Sequence, residues 1–129
     1  MIIMKKSIAI LTFLALLLLP SCGEIFKPDH AEDREVLISV YKKSSSFNFM
    51  SKPADESYMT QNTKMLEYYV NEDVIAENYI CYYIIYQIDD INGYRRYALV
   101  DFVEFNNGYC EWKVIDTSRS LSDIMSNFE

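Results

Sequence analysis

The sequence predicts an α+β fold. Two N-terminal helices should pack on a twisted antiparallel meander of three to four strands, with a short C-terminal helix closing it. Three observations lead there. The stretch Glu77 to Asp116 divides into runs rich in Tyr, Ile, Val and Phe, at 78–89, 95–105 and 109–116. Two short turns with glycine join these runs, Ile91-Asn92-Gly93 and Asn106-Asn107-Gly108. Upstream of them, apolar residues recur at helical spacing in two segments.

The 129 residues suffice for one domain, and no repeat or linker divides residues 29–129. Tyrosine is frequent (11), whereas Gly and Pro are scarce at 3 each, which argues for an ordered, strand-containing domain. The net charge is −7, and it becomes −9 once the first 21 residues, with the two charges of Lys5 and Lys6, are set aside. Such an acidic chain has no electrostatic footprint for nucleic acid. It is also repelled by anionic headgroups, so membrane attachment needs another source.

That source lies at the N-terminus. Lys5 and Lys6 precede the uncharged run Ile8–Leu19, then come Pro20, Ser21 and Cys22. A basic start, a short apolar run and a small residue before the break form a secretory signal. The run is shorter than the roughly 20 apolar residues of a spanning helix. Leu19-Pro20-Ser21-Cys22 resembles the lipobox of bacterial lipoproteins, with Pro20 where that pattern has a small or short aliphatic residue. The resemblance implies a signal peptide at 1–21, a palmitate-bearing Cys22 as mature N-terminus, a tether over 22–28 and a single domain over 29–129. It places the protein in the bacterial cell envelope, anchored by lipid. Gly23, rather than Asp, follows the cysteine, which points to the outer membrane.

The first helix is expected to start near Asp29, as cap, and to bury Val36, Leu37, Val40 and Tyr41. Lys42 and Lys43 suit its C-terminal end, and Ser44-Ser45-Ser46 stops it. Phe47–Met50 is an apolar patch without an assignment. The second helix is expected from Ser57 or Thr60 to Val70, with Tyr58, Met65 and Tyr69 beside Met59, Leu66 and Val70. Ser120 to Asp123 reads as a capping box for a helix over 120–128.

If Asn92-Gly93 is a two-residue turn, Asp90 faces Arg95 and Asp89 faces Arg96. A three-residue loop at 106–108 puts Phe105 opposite Tyr109, Val103 opposite Glu111 and Asp101 opposite Lys113. One face then carries Cys81, Tyr83 and Ile85 with Ala98, Val100, Phe102, Cys110, Trp112 and Val114. The other carries Ile80, Tyr82, Ile84, Tyr86, Tyr97, Leu99 and Asp101. Two helices before such a meander, with the ending Glu111-Trp112-Lys113-Val114-Ile115-Asp116, resemble the cystatin-like, nuclear-transport-factor-two-like cone superfamily. Some members bind small hydrophobic ligands in a conical pocket, a few are isomerases or dehydratases, and many lipoprotein members have no known activity.

The residues weigh against most catalytic chemistry. Cys81 and Cys110 are expected as free thiols, two strands apart and too far for a disulfide. Cys81, Glu104 and Cys110 lack a fourth ligand, so no metal or cofactor is expected. His30, the only histidine, reads as a surface residue, which leaves no Ser/His/Asp or Cys/His system. The expected function is therefore non-enzymatic, with a protein partner or small apolar ligand bound at Tyr82, Tyr86, Tyr97 and Asp101. Two other readings stand beside it: a cone-fold enzyme with Asp101 as general base and a tyrosine as oxyanion donor, and an immunity-type lipoprotein. Replacement of Cys22 by Ser is expected to move the protein from the membrane to the soluble fraction; a Cys22→Ser variant that stays with the membranes would refute the lipid anchor.

Overall fold

The structure, a computed structural model, describes residues 27–44, 53–74 and 76–129. Cys22 and Phe47–Met50 lie outside the described residues. The chain is α+β, with one four-stranded antiparallel sheet in the order β1-β2-β3-β4. The elements are α1 (Arg34–Ser44), α2 (Glu56–Gln61), β1 (Thr63–Val70), β2 (Tyr79–Asp89), β3 (Arg95–Phe105), β4 (Cys110–Ser118), α3 (Leu121–Met125) and a terminal 3₁₀ turn, Ser126–Phe128.

The second helix needs the largest correction. It ends at Gln61, and Thr63–Val70 is a strand. Asp55, not Ser57 or Thr60, caps α2, its Oδ1 accepting from the Tyr58 N–H at 2.7 Å. Asn62 closes it by donating from Nδ2 to the Tyr58 carbonyl at 2.9 Å. A register shift between Met65 and Glu67 then interrupts the pairing of β1 with β2. This irregularity puts Met65, Tyr68 and Val70 on one face and Leu66 and Tyr69 on the other. The break erases a clean period of two, so the segment imitates helical spacing.

The first helix also starts later than Asp29. Residues 29–33 are turns, and the Asp33 carbonyl accepts from the N–H groups of Val36 and Leu37, both at 3.0 Å. Its buried stripe is Val36, Leu37, Ile38, Val40 and Tyr41.

Both hairpin loops have one geometry. Gly93 N–H donates to the Asp90 carbonyl at 2.9 Å, and Gly108 N–H to the Phe105 carbonyl at 3.0 Å. Asp90 N–H donates to Tyr94 at 2.7 Å, and Phe105 N–H to Tyr109 at 2.8 Å. Each glycine has φ near +90°, at 90 and 89. These are three-residue loops with a left-handed glycine. The loop at 106–108 is as expected, and Asp101 faces Lys113 and Val103 faces Glu111. The loop at 91–93 is one residue longer than expected. Asp90 Oδ1 accepts from Asn92 N–H at 2.9 Å, which favours the wider turn.

That one residue reverses β2. Asp89 pairs with Arg95, and Tyr82 with Phe102. A one-residue slip sends every side chain of a strand to the opposite face. The charge partners exchange as well: Arg95 Nε lies 2.8 Å from Asp89, and Arg96 lies 3.6 Å from Asp90.

One face of the sheet therefore joins Tyr82, Ile84, Tyr86 and Ile88 to Ala98, Val100 and Phe102, under α1. Burying one such side chain contributes about 1.5–3 kcal/mol, so this layer dominates stability. Trp112 lies flat beside Phe102, with centroids 6.4 Å apart, and its Nε1 donates to Ser39 Oγ at 2.9 Å. On the opposite face Ile85 and Leu99 pack under Ile124 and Phe128.

The end of α1 is fastened to the first hairpin. Arg96 donates to the Ser44 carbonyl at 3.4 Å, and the Tyr41 hydroxyl accepts from the Ile91 N–H at 3.1 Å. The Asp90 side chain beside Arg96 is only 5% exposed. Removing one partner of a buried pair leaves an uncompensated charge. Asp90→Ala is expected to cost about 3 kcal/mol in denaturant unfolding, whereas Asp89→Ala, at an exposed pair, should cost under about 1 kcal/mol.

Candidate functional site

The reversal of β2 dissolves the expected site. Tyr82 and Tyr86 are buried under α1, while Tyr97 and Asp101 lie on the other face. Burial pushes both buried phenols well above the usual tyrosine range, and the Tyr86 hydroxyl donates to the Ala31 carbonyl at 2.7 Å. Tyr97 and Asp101 share a face but stand four residues apart, roughly 13 Å along the strand. Asp101 sits between Tyr83 of β2 and Lys113 of β4.

Cys81 and Cys110 do not share a face either. Cys81 pairs with Val103, and Cys110 pairs with Glu104, so the sheet lies between the two free thiols. Burial, with lesser help from Glu104, Asp33 and Glu35, pushes the Cys110 thiol up to about 11. Burial likewise raises Cys81, with Asp101 adding to it. Among the described residues no three His, Cys, Asp or Glu side chains gather as metal ligands.

What the fold does bring together is a half-sheet that no element among the described residues covers. α3 covers the Ile85–Leu99 end of its face. Toward the other end the same face carries Tyr83, Asp101 and Lys113, then Cys81, Val103 and Glu111, then Tyr79 and Phe105. Tyr109 completes this end. The Tyr79 and Phe105 ring centroids are 5.2 Å apart, and those of Phe105 and Tyr109 are 5.6 Å apart. Tyr109 is 60% exposed. Adjacent aromatic rings with one open side form a rigid contact surface of low entropic cost. Sequence reasoning missed Tyr79 and Tyr109 as surface residues, although the pairing of Phe105 with Tyr109 was already legible in the second loop.

The domain entrance lies at this same end, on the opposite face. The N–H groups of Asp29 and His30 donate to the two Glu104 oxygens at 3.1 and 2.8 Å. A carboxylate that accepts from two backbone amides is held by charge-assisted bonds. His30 Nδ1 lies 2.8 Å from Asp33 Oδ2. A Cβ on Gly108 would lie 3.5 Å from His30 Nε2, so the entrance and the second hairpin touch. His30 is thus half-exposed and partnered, not simply solvated.

Elsewhere, open depressions of about 420 and 370 Å³ run along β4 beside Lys43 and along α1 beside Glu56. Neither is lined by Asp101 or Tyr97. The chain has no match among family models, curated proteins or solved structures.

Two outcomes are expected at this end. The hydrogen bond that His30 donates to Asp33, then the charges of Asp33, Glu104 and Asp29, outweigh desolvation and raise His30 above 6.5. A raised histidine stabilises fully below the unfolded value and loses that contribution as pH climbs through the folded value. Titration of the His30 ring by NMR should give a midpoint above 6.5, and Asp33→Asn should bring it down; an unchanged midpoint would remove Asp33 as the cause. Cys81 and Cys110 should both resist iodoacetamide at pH 8 in the folded protein and react on unfolding. Rapid native labelling of either would contradict the burial described.

Proposed function

We propose that the protein is a lipid-anchored component of the bacterial cell envelope that binds a protein partner through the uncovered half-sheet. One observation carries this reading: the aromatic row Tyr79–Phe105–Tyr109 is open at Tyr109, beside Val103 and the charged residues Glu111 and Lys113. Interfaces concentrate their energy in aromatic anchors of this kind, ringed by polar side chains. The alternatives weaken on the same geometry. An Asp101 base could not act with Tyr82 or Tyr86, which lie on the opposite face, and would be left with Tyr83, its cross-strand neighbour. A small apolar ligand would need a concavity, and the two depressions described lie away from the aromatic row. An immunity-type lipoprotein is a special case of the partner reading.

The anchor rests on Lys5, Lys6, the apolar run and Cys22. Among the described residues no helix is long and apolar enough to cross a membrane, which is compatible with attachment by lipid. Six residue steps lead from Cys22 to Pro28, a reach of about 20 Å. The entrance is pinned to Glu104, so the aromatic end of the sheet would sit near the membrane surface. The likeness to the cone superfamily belongs to this proposal too, supported by a helix packed on one face of an antiparallel meander.

A photo-crosslinking residue at position 109 should give one discrete protein adduct in living cells, and one at Gln61 should not. Tyr109→Ala should weaken that partner's binding at least tenfold without lowering the melting temperature. Equal adducts at both positions, or undiminished binding, would refute the surface.

A further inference from the structure

β4 is an edge strand, so one side of its backbone has no neighbour within the described sheet. The phase of its hydrogen bonds follows from the second hairpin. Phe105 N–H donates to Tyr109, so Tyr109, Glu111 and Lys113 direct their backbone groups at β3. Cys110, Trp112 and Val114 therefore present theirs outward. A register shift ends the regular run at Ile115, where Val100 pairs with Val114 and Leu99 with Asp116. From Cys110 to Val114 the pairing with β3 is regular, and the residues that flank this run, Tyr109 and Ile115, are the exposed apolar ones, at 60% and 45%. Between them Glu111 and Lys113 are exposed and make no ion pair among the described residues. The unpaired backbone groups of such an edge can template another strand.

We propose that this edge pairs with the same edge of a second copy, antiparallel about a two-fold axis at Trp112. Only some registers are compatible with such symmetry, and the charges choose among them. An axis at residue 111 sets Glu against Glu, and one at 113 sets Lys against Lys. An axis at 110 or 114 leaves both charges opposite uncharged residues. An axis at Trp112 sets Glu111 against Lys113 twice and Tyr109 against Ile115 twice. It also places the outward backbone groups of Trp112 opposite each other, as a hydrogen-bonded pair requires. Two-fold contacts are self-complementary in this sense: residue i meets j, and j meets i. The seam would join two four-stranded sheets into one and bring the two Phe105–Tyr109 rows onto one continuous face. This pairing does not depend on the partner reading, and either can fail alone.

The test uses the full chain in detergent micelles. Sedimentation should show a dimer, and a carbodiimide should link Glu111 to Lys113 between isotopically labelled and unlabelled copies. Glu111→Lys or Lys113→Glu should each weaken the dimer about tenfold, because two attractive pairs become repulsive. The double exchange, Glu111→Lys with Lys113→Glu, should restore it. A monomer at every concentration, a link confined to single chains, or a double exchange no better than the single ones at unchanged melting temperature would each overturn the pairing. Thermal melting of all variants separates loss of pairing from loss of fold, and the mixed-isotope link needs no variant.

Discussion

The register of β2 against β3 is the constraint on which the rest of the molecule depends. It is set by three residues, Ile91, Asn92 and Gly93, and by the positive φ that glycine allows. With that loop, Tyr82, Ile84, Tyr86 and Ile88 meet Val100 and Phe102 beneath α1. With a loop one residue shorter, the same four side chains would lie on the face of Leu99 and Asp101. Asp90 stabilises the wider turn twice over. Its Oδ1 receives the Asn92 N–H, and its other oxygen faces Arg96, which in turn reaches the last carbonyl of α1. Loop, helix end and strand register are therefore one coupled unit.

The two ends of the sheet are finished differently. At the Ile85–Leu99 end, both faces are covered, by α1 and by the C-terminal Ile124 and Phe128. At the Tyr79–Phe105 end, one face is closed by the entrance segment, clamped to Glu104, and the other is left open by the described residues. The open end lies beside the entrance segment at Asp29 and His30.

Much of the scaffold was legible in the sequence. The three strands of the meander, the stripe of α1 and the second hairpin loop followed from alternation, helical spacing and Asn-Gly signals that act locally. The pairing of Asp101 with Lys113 followed from the same loop. The site was not legible, because Tyr82 and Tyr86 are as apolar as Tyr83 and Cys81, and period two says only that neighbours differ. β1 was hidden for a related reason: its break at Leu66 mixes the two faces, and Met65, Tyr69 and Val70 then satisfy a helical pattern equally well.

By itself the sequence determined the class of fold, the place of the three meander strands and the second hairpin loop, since each of these is decided within a few positions of the chain. It also determined the features that argue for export and lipid attachment. Tertiary structure alone decided which face each tyrosine occupies, which acid meets which arginine, and where the sheet stays open. Those outcomes depend on a choice of one residue in a turn, and the choice is settled only by burial and charge pairing summed over strands that are distant in sequence.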